Sequence, residues 1–324
     1  MVQWGLLSTA NINGALLGGI AQVEDARAAA VASRDSERAR AYAAEHGIER
    51  AHGSYEALLA DPGVDAVYIS LPNSMHHEWT IRALEAGKHV LCEKPYSRHP
   101  AEAEQAFELA AARGLVLMEA FMYRHNPQTR RLAELVGGGS LGRLRVIRSG
   151  FSFFAAPGDV RLRRDLDGGG LMDVGCYCLS GARLLAGEPD RVYAEQVLGG
   201  DGVDVVLTAT LRFAGDVTAH FDCGLALPPR SGLEVVCEEA SLYLPDPWHA
   251  REPRIELRRR DGSHEVVAVE PANSYALEVE NFGAAIRGDA EPLLGRDDAV
   301  GQARAIEALY AAADAGQTVS VQGP

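Results

Sequence analysis

His89-Val90-Leu91-Cys92-Glu93-Lys94-Pro95 is the stretch that decides how this chain folds. An apolar run, Val90-Leu91-Cys92, opens directly onto a carboxylate, an ammonium and a proline. With Gly87-Lys88 behind it and Pro95 ahead, the run reads as a buried strand of a parallel sheet. Pro95 ends it, having no N–H to give the ladder. Glu93 and Lys94 then fall at the strand's carboxyl end, the edge at which open α/β sheets bind ligands. The competing reading is an ordinary loop ion pair between Lys94 and Glu93, and only the rest of the chain separates the two.

Working outward, strands alternate with helices. Residues 2–7, 26–32 and 66–71 are apolar strands, and residues 115–118 a last one. Between them the pattern predicts helices from residue 13 to about 23, over 35–46 with Gly47 as the stop, and over 54–60. A further helix has Met75, Trp79, Ala83 and Ala86 on its apolar face. The helix over 100–113 turns Ala103, Ala106, Phe107 and Ala110 inward and has Gly114 just past its end. Strand–helix alternation of this length means a parallel, doubly wound Rossmann sheet with right-handed crossovers.

The pattern changes from Arg143. Val203, Val205, Leu207, Ala209, Leu211 and Phe213 alternate with mainly polar residues, and so do Val217, Ala219, Phe221, Cys223 and Leu225. Asp261-Gly262, between residues 254–260 and 265–270, is a hairpin signal. This is an α+β domain on a largely antiparallel open sheet with one face covered. Its other face, carrying residues such as Val206, is expected to be covered by a second copy of the chain. Residues 299–313 form a closing helix with Ile306, Leu309, Tyr310 and Ala313 on one face. The expected domains are 1–123 and 124–324.

The composition is that of a globular protein, 47% apolar and 23% charged over 324 residues. No stretch approaches the roughly 18 apolar residues of a membrane span, and the start lacks the basic-then-apolar pattern of a signal peptide. Five cysteines without a CxxC pair fit free thiols in a reducing cytoplasm, with no metal site. A net charge of −14 argues against nucleic acid as a partner. It leaves anionic cofactors open, since local dipoles and single arginines bind those.

The first strand leads into Ser8-Thr9-Ala10-Asn11-Ile12-Asn13. A dinucleotide fingerprint, GxGxxG, would place its glycines on Ser8, Ala10 and Asn13, and none is present. Small residues at 8 and 10 still allow a pyrophosphate to approach, and the helix that follows offers its N-terminal N–H groups. About twenty residues on, a ribose-binding acid is usual. Ser33-Arg34 stands there instead. A guanidinium forks onto a 2′-phosphate, so NADP is expected over NAD; a solvated arginine at a helix start is the bland alternative. Asp35 reads as the helix N-cap.

Ahead of the alternating strands lies Gly168-Gly169-Gly170-Leu171-Met172-Asp173-Val174-Gly175-Cys176-Tyr177-Cys178. Three glycines permit close backbone approach at a helix start. Asp173 and Tyr177, at i and i+4, put a carboxylate and a phenol on one face of an otherwise apolar helix. They mark a cleft or a buried Tyr–Asp hydrogen bond.

Together these pieces resemble the glucose–fructose oxidoreductase / inositol dehydrogenase (Gfo/Idh/MocA) family over essentially the whole length. The marks are Pro72-Asn73-Ser74-Met75-His76, residues 86–95, Glu119-Ala120-Phe121-Met122-Tyr123-Arg124 and the run 168–177. The branch it looks most like holds NADP-dependent sugar dehydrogenases, dihydrodiol dehydrogenases and keto-sugar reductases, with tyrosine at the position of Tyr177. The resemblance implies hydride transfer between nicotinamide and a hydroxyl- or carbonyl-bearing carbon of a sugar-like substrate. Tyr177 is then the acid/base. Because a phenol near pKa 10 is a poor base at neutral pH, a cation must favour the phenolate, and Lys94 is the candidate. Lys94 would also bind the substrate oxygen, and Asp173 would orient substrate or lysine. On the cofactor side the resemblance places Ser8, Thr9, Ala10, Asn11, Ile12, Ser33, Arg34, Leu71, Pro72, Asn73, His76, Glu93 and Lys94. Arg124 and Arg161 would reach substrate hydroxyls, and a homodimer or dimer of dimers would form through the C-terminal sheet. Rival classes on this scaffold are a cofactor-retaining lyase or glycosidase and a non-catalytic cofactor sensor.

Overall fold

The structure, a computed structural model, describes residues 1–321. The chain packs as two units: Met1–Ser97, Ala101–His125 and Asn273–Val300 form the first, and Arg98–Pro100, Asn126–Ala272 and the residues from Gly301 form the second. Against the expected 1–123 and 124–324, residues Asn273–Val300 pack with the first unit.

The first unit is built from β1 (Val2–Leu7), α1 (Asn13–Ile20), β2 (Ala26–Ala32), α2 (Ser36–His46), β3 (Arg50–His52), α3 (Tyr55–Leu59), β4 (Ala66–Ile69), α4 (His76–Glu85), β5 (His89–Glu93), α5 (Pro100–Ala112) and β6 (Leu117–Ala120). Its six strands run in the order β3-β2-β1-β4-β5-β6, every pair parallel. All carboxyl ends thus open at one edge, and the order reverses direction about β1, which is where such sheets take ligands. Asp35 caps α2, accepting from the N–H groups of Glu37 at 2.9 Å and Arg38 at 3.2 Å, and Gly47 ends it in the left-handed region. The buried faces of α4 (Trp79, Ala83) and α5 (Ala103, Ala106, Phe107, Ala110) close over Val67, Ile69, Val90 and Cys92. Ala86, expected on that face of α4, is instead its exposed C-cap. The last strand begins two residues later than its apolar run predicts, at Leu117.

The second unit takes α6 (Pro127–Gly137), β7 (Leu144–Phe154), α7 (Cys176–Ala186), β8 (Pro189–Leu198), β9 (Asp204–Phe213), β10 (Thr218–Gly224), β11 (Ala226–Cys237), β12 (Ala240–Leu244), β13 (Arg254–Arg259) and β14 (His264–Ala268). The chain then supplies α8 (Ser274–Arg287) to the first unit, α9 (Arg296–Ala315) and, back in the second, β15 (Val319–Ser320). α8 completes the first unit's core because Phe282 meets Trp4 with ring centroids 5.2 Å apart, both fully buried. The nine strands of the second sheet are ordered β14-β13-β12-β11-β7-β10-β9-β8-β15. Only β10–β7 is parallel; the other neighbours are antiparallel. Leu207, Ala209, Leu211 and Phe213 are buried while Thr208 and Thr210 are exposed, so the alternation does select one covered face. The opposite face is mixed rather than apolar: Val206 is half-buried, His220 is exposed, and Arg148 pairs with Glu234 at 3.2 Å.

Candidate active site

The carboxyl edge of the parallel sheet carries the residues expected to hold a dinucleotide. At the first turn Ser8 adopts φ 144°, a region that favours glycine. A buried polar network offsets that strain. Ser8 Oγ lies 2.7 Å from Ser70 Oγ, Asn13 Nδ2 donates to the Ser8 carbonyl at 2.8 Å, and Ser70 Oγ donates to Asn13 Oδ1 at 2.6 Å. Ser8 Oγ also accepts from the Ala10 N–H at 3.1 Å. The three positions that lack fingerprint glycines are therefore the three that this network ties together. Asn11 is exposed, with Thr9, Ala10 and Ile12 half-buried beside it.

Beside this turn lies a cleft of about 440 Å³ lined by Thr9, Asn11, Gly14, Arg38, Ala41, Tyr42, Glu45 and His46, within the size range of ligand sites. Arg38 is the residue that reading by motif missed. No motif marks it, because it lies in the first turn of α2, past the strand end at which the ribose-binding residue is sought. Arg34 is exposed at the end of β2 and makes no ion pair among the described residues. Ser33 is buried, and its Oγ accepts from the Asp35 N–H at 3.2 Å.

Two strands on, the Lys94 segment is held on both sides. The Tyr68 hydroxyl donates to Glu93 Oε1, and Glu93 Oε2 accepts from the Lys94 N–H at 3.3 Å. The Lys94–Pro95 bond is cis. Past it, the ring nitrogens of His76 face the carbonyls of Pro95 at 3.0 Å and Leu71 at 2.9 Å. His76 is buried, and desolvation holds its pKa below the usual value, the Lys94 charge adding to the effect. A neutral ring donates to one carbonyl at a time, so His76 braces the turns after β4 and β5 against each other. Tyr96 N–H donates to the buried Glu119 at 2.8 Å. Pro72 precedes the short 3₁₀ turn Asn73–Met75. Arg124 pairs with Asp298 at 3.2 Å within this same unit.

In the second unit, the run after the triple glycine is not the α-helix that its spacing predicts. Leu171–Gly175 is a π-helical turn, with the Cys176 N–H reaching the Leu171 carbonyl, and α7 begins only afterwards. Asp173 lies inside the π turn and Tyr177 in the first turn of α7, rather than both on one regular α-helix as their i, i+4 spacing predicts; such turns recur at functional sites. Packing explains it. A Cβ on Gly175 would sit 2.7 Å from Cys223 Sγ on β10, so the turn can lie flat on that strand only with glycine there. Asp173 Oδ2 accepts from Arg161 Nε at 2.9 Å. Tyr177 is 8% exposed and sits in an aromatic wall, 5.6 Å from Phe151 and 5.9 Å from Trp248 by ring centroid. His249 meets the edge of Phe151 at 5.7 Å. Phe151, Trp248 and His249 had no sequence signal, since strand β7 and the loop before β13 bring them in through tertiary packing alone.

The five cysteines are free and buried. Burial pushes Cys178 up to about 12 and raises Cys92 and Cys223 as well, which removes them as nucleophiles at neutral pH.

A six-stranded parallel sheet whose carboxyl ends open at one edge is the framework of a dinucleotide-dependent oxidoreductase. Family models agree. Residues 11–121 match the oxidoreductase family with NAD-binding Rossmann fold of the Gfo/Idh/MocA type, and residues 129–243 match the Gfo/Idh/MocA C-terminal domain. The chain belongs to the Gfo/Idh/MocA oxidoreductase family. It is 40% identical to D-xylose 1-dehydrogenase (NADP(+)) 2 of Haloferax volcanii, covering 99% of this chain and 100% of that protein. It is 32% identical to trans-1,2-dihydrobenzene-1,2-diol dehydrogenase of Bos taurus, over 84% and 81% of the two chains. Among solved structures, a 3-ketoreductase from Actinomadura kijaniata in complex with NADP and TDP-benzene superposes with a TM-score of 0.90 at 31% identity, covering 96% and 97%.

Proposed function

We propose that this protein is an NADP-dependent oxidoreductase acting on a CH–OH carbon of a sugar, with oxidation of an aldose at C1 as the first form to test. The full-length similarity to the NADP-dependent xylose dehydrogenase carries the reading. Arg34 at the end of β2, where an acid would repel a 2′-phosphate, supports it, and so does Arg38 in the adjoining cleft.

NADP, when bound, supplies the hydride acceptor or donor at nicotinamide C4. The chain's own residues manage the proton and the positioning. As the carbon gives up its hydride, the hydroxyl oxygen must lose a proton, which Tyr177 takes; in reduction Tyr177 returns it. Lys94, fixed by the Glu93 and Pro95 contacts, holds the substrate oxygen. Asp173, anchored by Arg161, orients the sugar. Thr9, Asn11 and the first N–H groups of α1 receive the pyrophosphate, and the guanidinium of Arg34 forks onto the 2′-phosphate. His76 braces this edge rather than taking part in chemistry. A homodimer formed through the outer face of the nine-stranded sheet completes the reading.

The test is NADP reduction against pentoses, hexoses, polyols and dihydrodiols, run beside NAD. Aldose-dependent NADPH formation, much slower with NAD, is expected. Cofactor that stays bound through purification with no net reduction by any substrate would favour the lyase class instead.

A further inference from the structure

Asp204, the first residue of β9, takes no part in the chemistry above, yet it is a carboxyl group only 2% exposed. Its two oxygens are both engaged. Oδ2 accepts from the Leu171 N–H at 2.7 Å, and Oδ1 accepts from the Tyr310 hydroxyl of α9 at 2.9 Å. The backbone of the glycine run is pressed against it: Gly169 has φ +129°, and a Cβ there would lie 2.1 Å from Asp204 Oδ1. Leu171 opens the π turn, and the Asp173 N–H bonds to the Gly169 carbonyl at 3.0 Å. One buried carboxyl group therefore fixes the first residues of the segment that delivers Asp173 and then Tyr177. Further along, Gln302 of α9 donates to the Cys176 carbonyl at 2.9 Å, and Arg183 bonds Gln302 at 2.9 Å. The strand and α9 hold the turn at its beginning and its end.

Burying a carboxyl group this deeply is expensive, and desolvation raises its pKa to about 6 against the bonds from Leu171 and Tyr310. A helix start that needed only a cap could take an exposed serine or asparagine at small cost. The groups facing Asp204 are Tyr310 from α9, Cys223 from β10 and the N–H groups of Gly170 and Leu171, with Arg98 stacked 5.9 Å from the Tyr310 ring.

We propose that Asp204 and Tyr310 are positioning residues that set the place of the Tyr177 phenol by clamping the start of the π turn. The proposal rests on the reading of Tyr177 as the proton-transfer group. Displacing a reacting group by about an ångström costs up to ~10²-fold in rate.

The experiment compares Asp204→Ala, Asp204→Asn and Tyr310→Phe in the full-length chain, with and without Tyr177→Phe. Asp204→Ala should lower kcat by ~10–100-fold while KM for NADP stays unchanged. Asp204→Asn, which can accept from Leu171 and donate to Tyr310, should recover most of that loss. In the Tyr177→Phe background, Asp204→Ala should cost nothing more. Should Asp204→Ala fail to fold, Tyr310→Phe decides, with a smaller fall in kcat expected. A folded Asp204→Ala or a Tyr310→Phe protein with wild-type kcat overturns the proposal, as does a loss that persists unchanged beside Tyr177→Phe. Normal turnover in Tyr177→Phe alone would count instead against the tyrosine's role.

Discussion

Glu278 shows how much a single carboxyl group can tell at this edge of the sheet. It is 1% exposed on α8, and burial, with the Glu93 charge nearby, holds its pKa well above the ordinary carboxylate value. A raised folded-state pKa contributes stability that is complete below the unfolded value and lost as pH rises through the folded one. Glu278→Gln cannot ionise, so it should match wild type near pH 4, below the ordinary carboxylate value, and exceed it at about pH 8. The gain should be ~2–4 °C in Tm, the shift that ~1 kcal/mol gives a domain of this size. Thermal unfolding at the two pH values checks it. For Arg34 the readout is affinity: Arg34→Ala should weaken NADP by ~1.5–3 kcal/mol, the range for a charge-assisted hydrogen bond, and leave NAD unaffected. Equal losses in a fluorescence titration would remove Arg34 from the 2′-phosphate. The placement of Arg34, Asp35 and Lys94 was legible because each sits just past the end of a strand, and strand ends are written in consecutive residues. Phe151 and Trp248 were not, since nothing local ties either to Tyr177.

Elements were legible where their period was intact. The Rossmann strands and helices read directly, as did β9, β10 and the β13–β14 hairpin. β3 has three residues, too few to show a period. The pairing of β11 with β7 shifts register between Ala226 and Arg230, around Pro228-Pro229, and so breaks the alternation that would reveal it. The π turn was hidden for another reason: its i+5 bond is selected by how closely Gly175 approaches β10, a contact between residues far apart in the chain. Gly175→Ala tests this. The added methyl would meet Cys223 Sγ at 2.7 Å and Leu171 Cδ1 at 3.0 Å, and overpacking of this kind costs ~1–3 kcal/mol. Urea denaturation should show that loss, with kcat reduced alongside it. Unchanged stability would mean the strand yields and the turn is not packing-determined.

For the whole molecule, the parallel, doubly wound sheet of the first unit followed from strand–helix alternation and the crossover rule. The return of α8 to that unit did not, since Trp4 and Phe282 meet only in three dimensions and no periodicity records the pairing. No helix among the described residues is long and apolar enough to cross a membrane. The proposed chemistry turns on Tyr177 as the group that takes up or returns the substrate's proton while the hydride passes to or from the nicotinamide. It is tested most directly by measuring turnover of Tyr177→Phe with the best substrate of the panel while titrating NADP on the same preparation. Turnover should fall by ~10²–10⁴-fold, the usual worth of a positioned acid/base, with NADP affinity retained. Near-normal turnover, or a loss explained by weaker NADP binding, would contradict it.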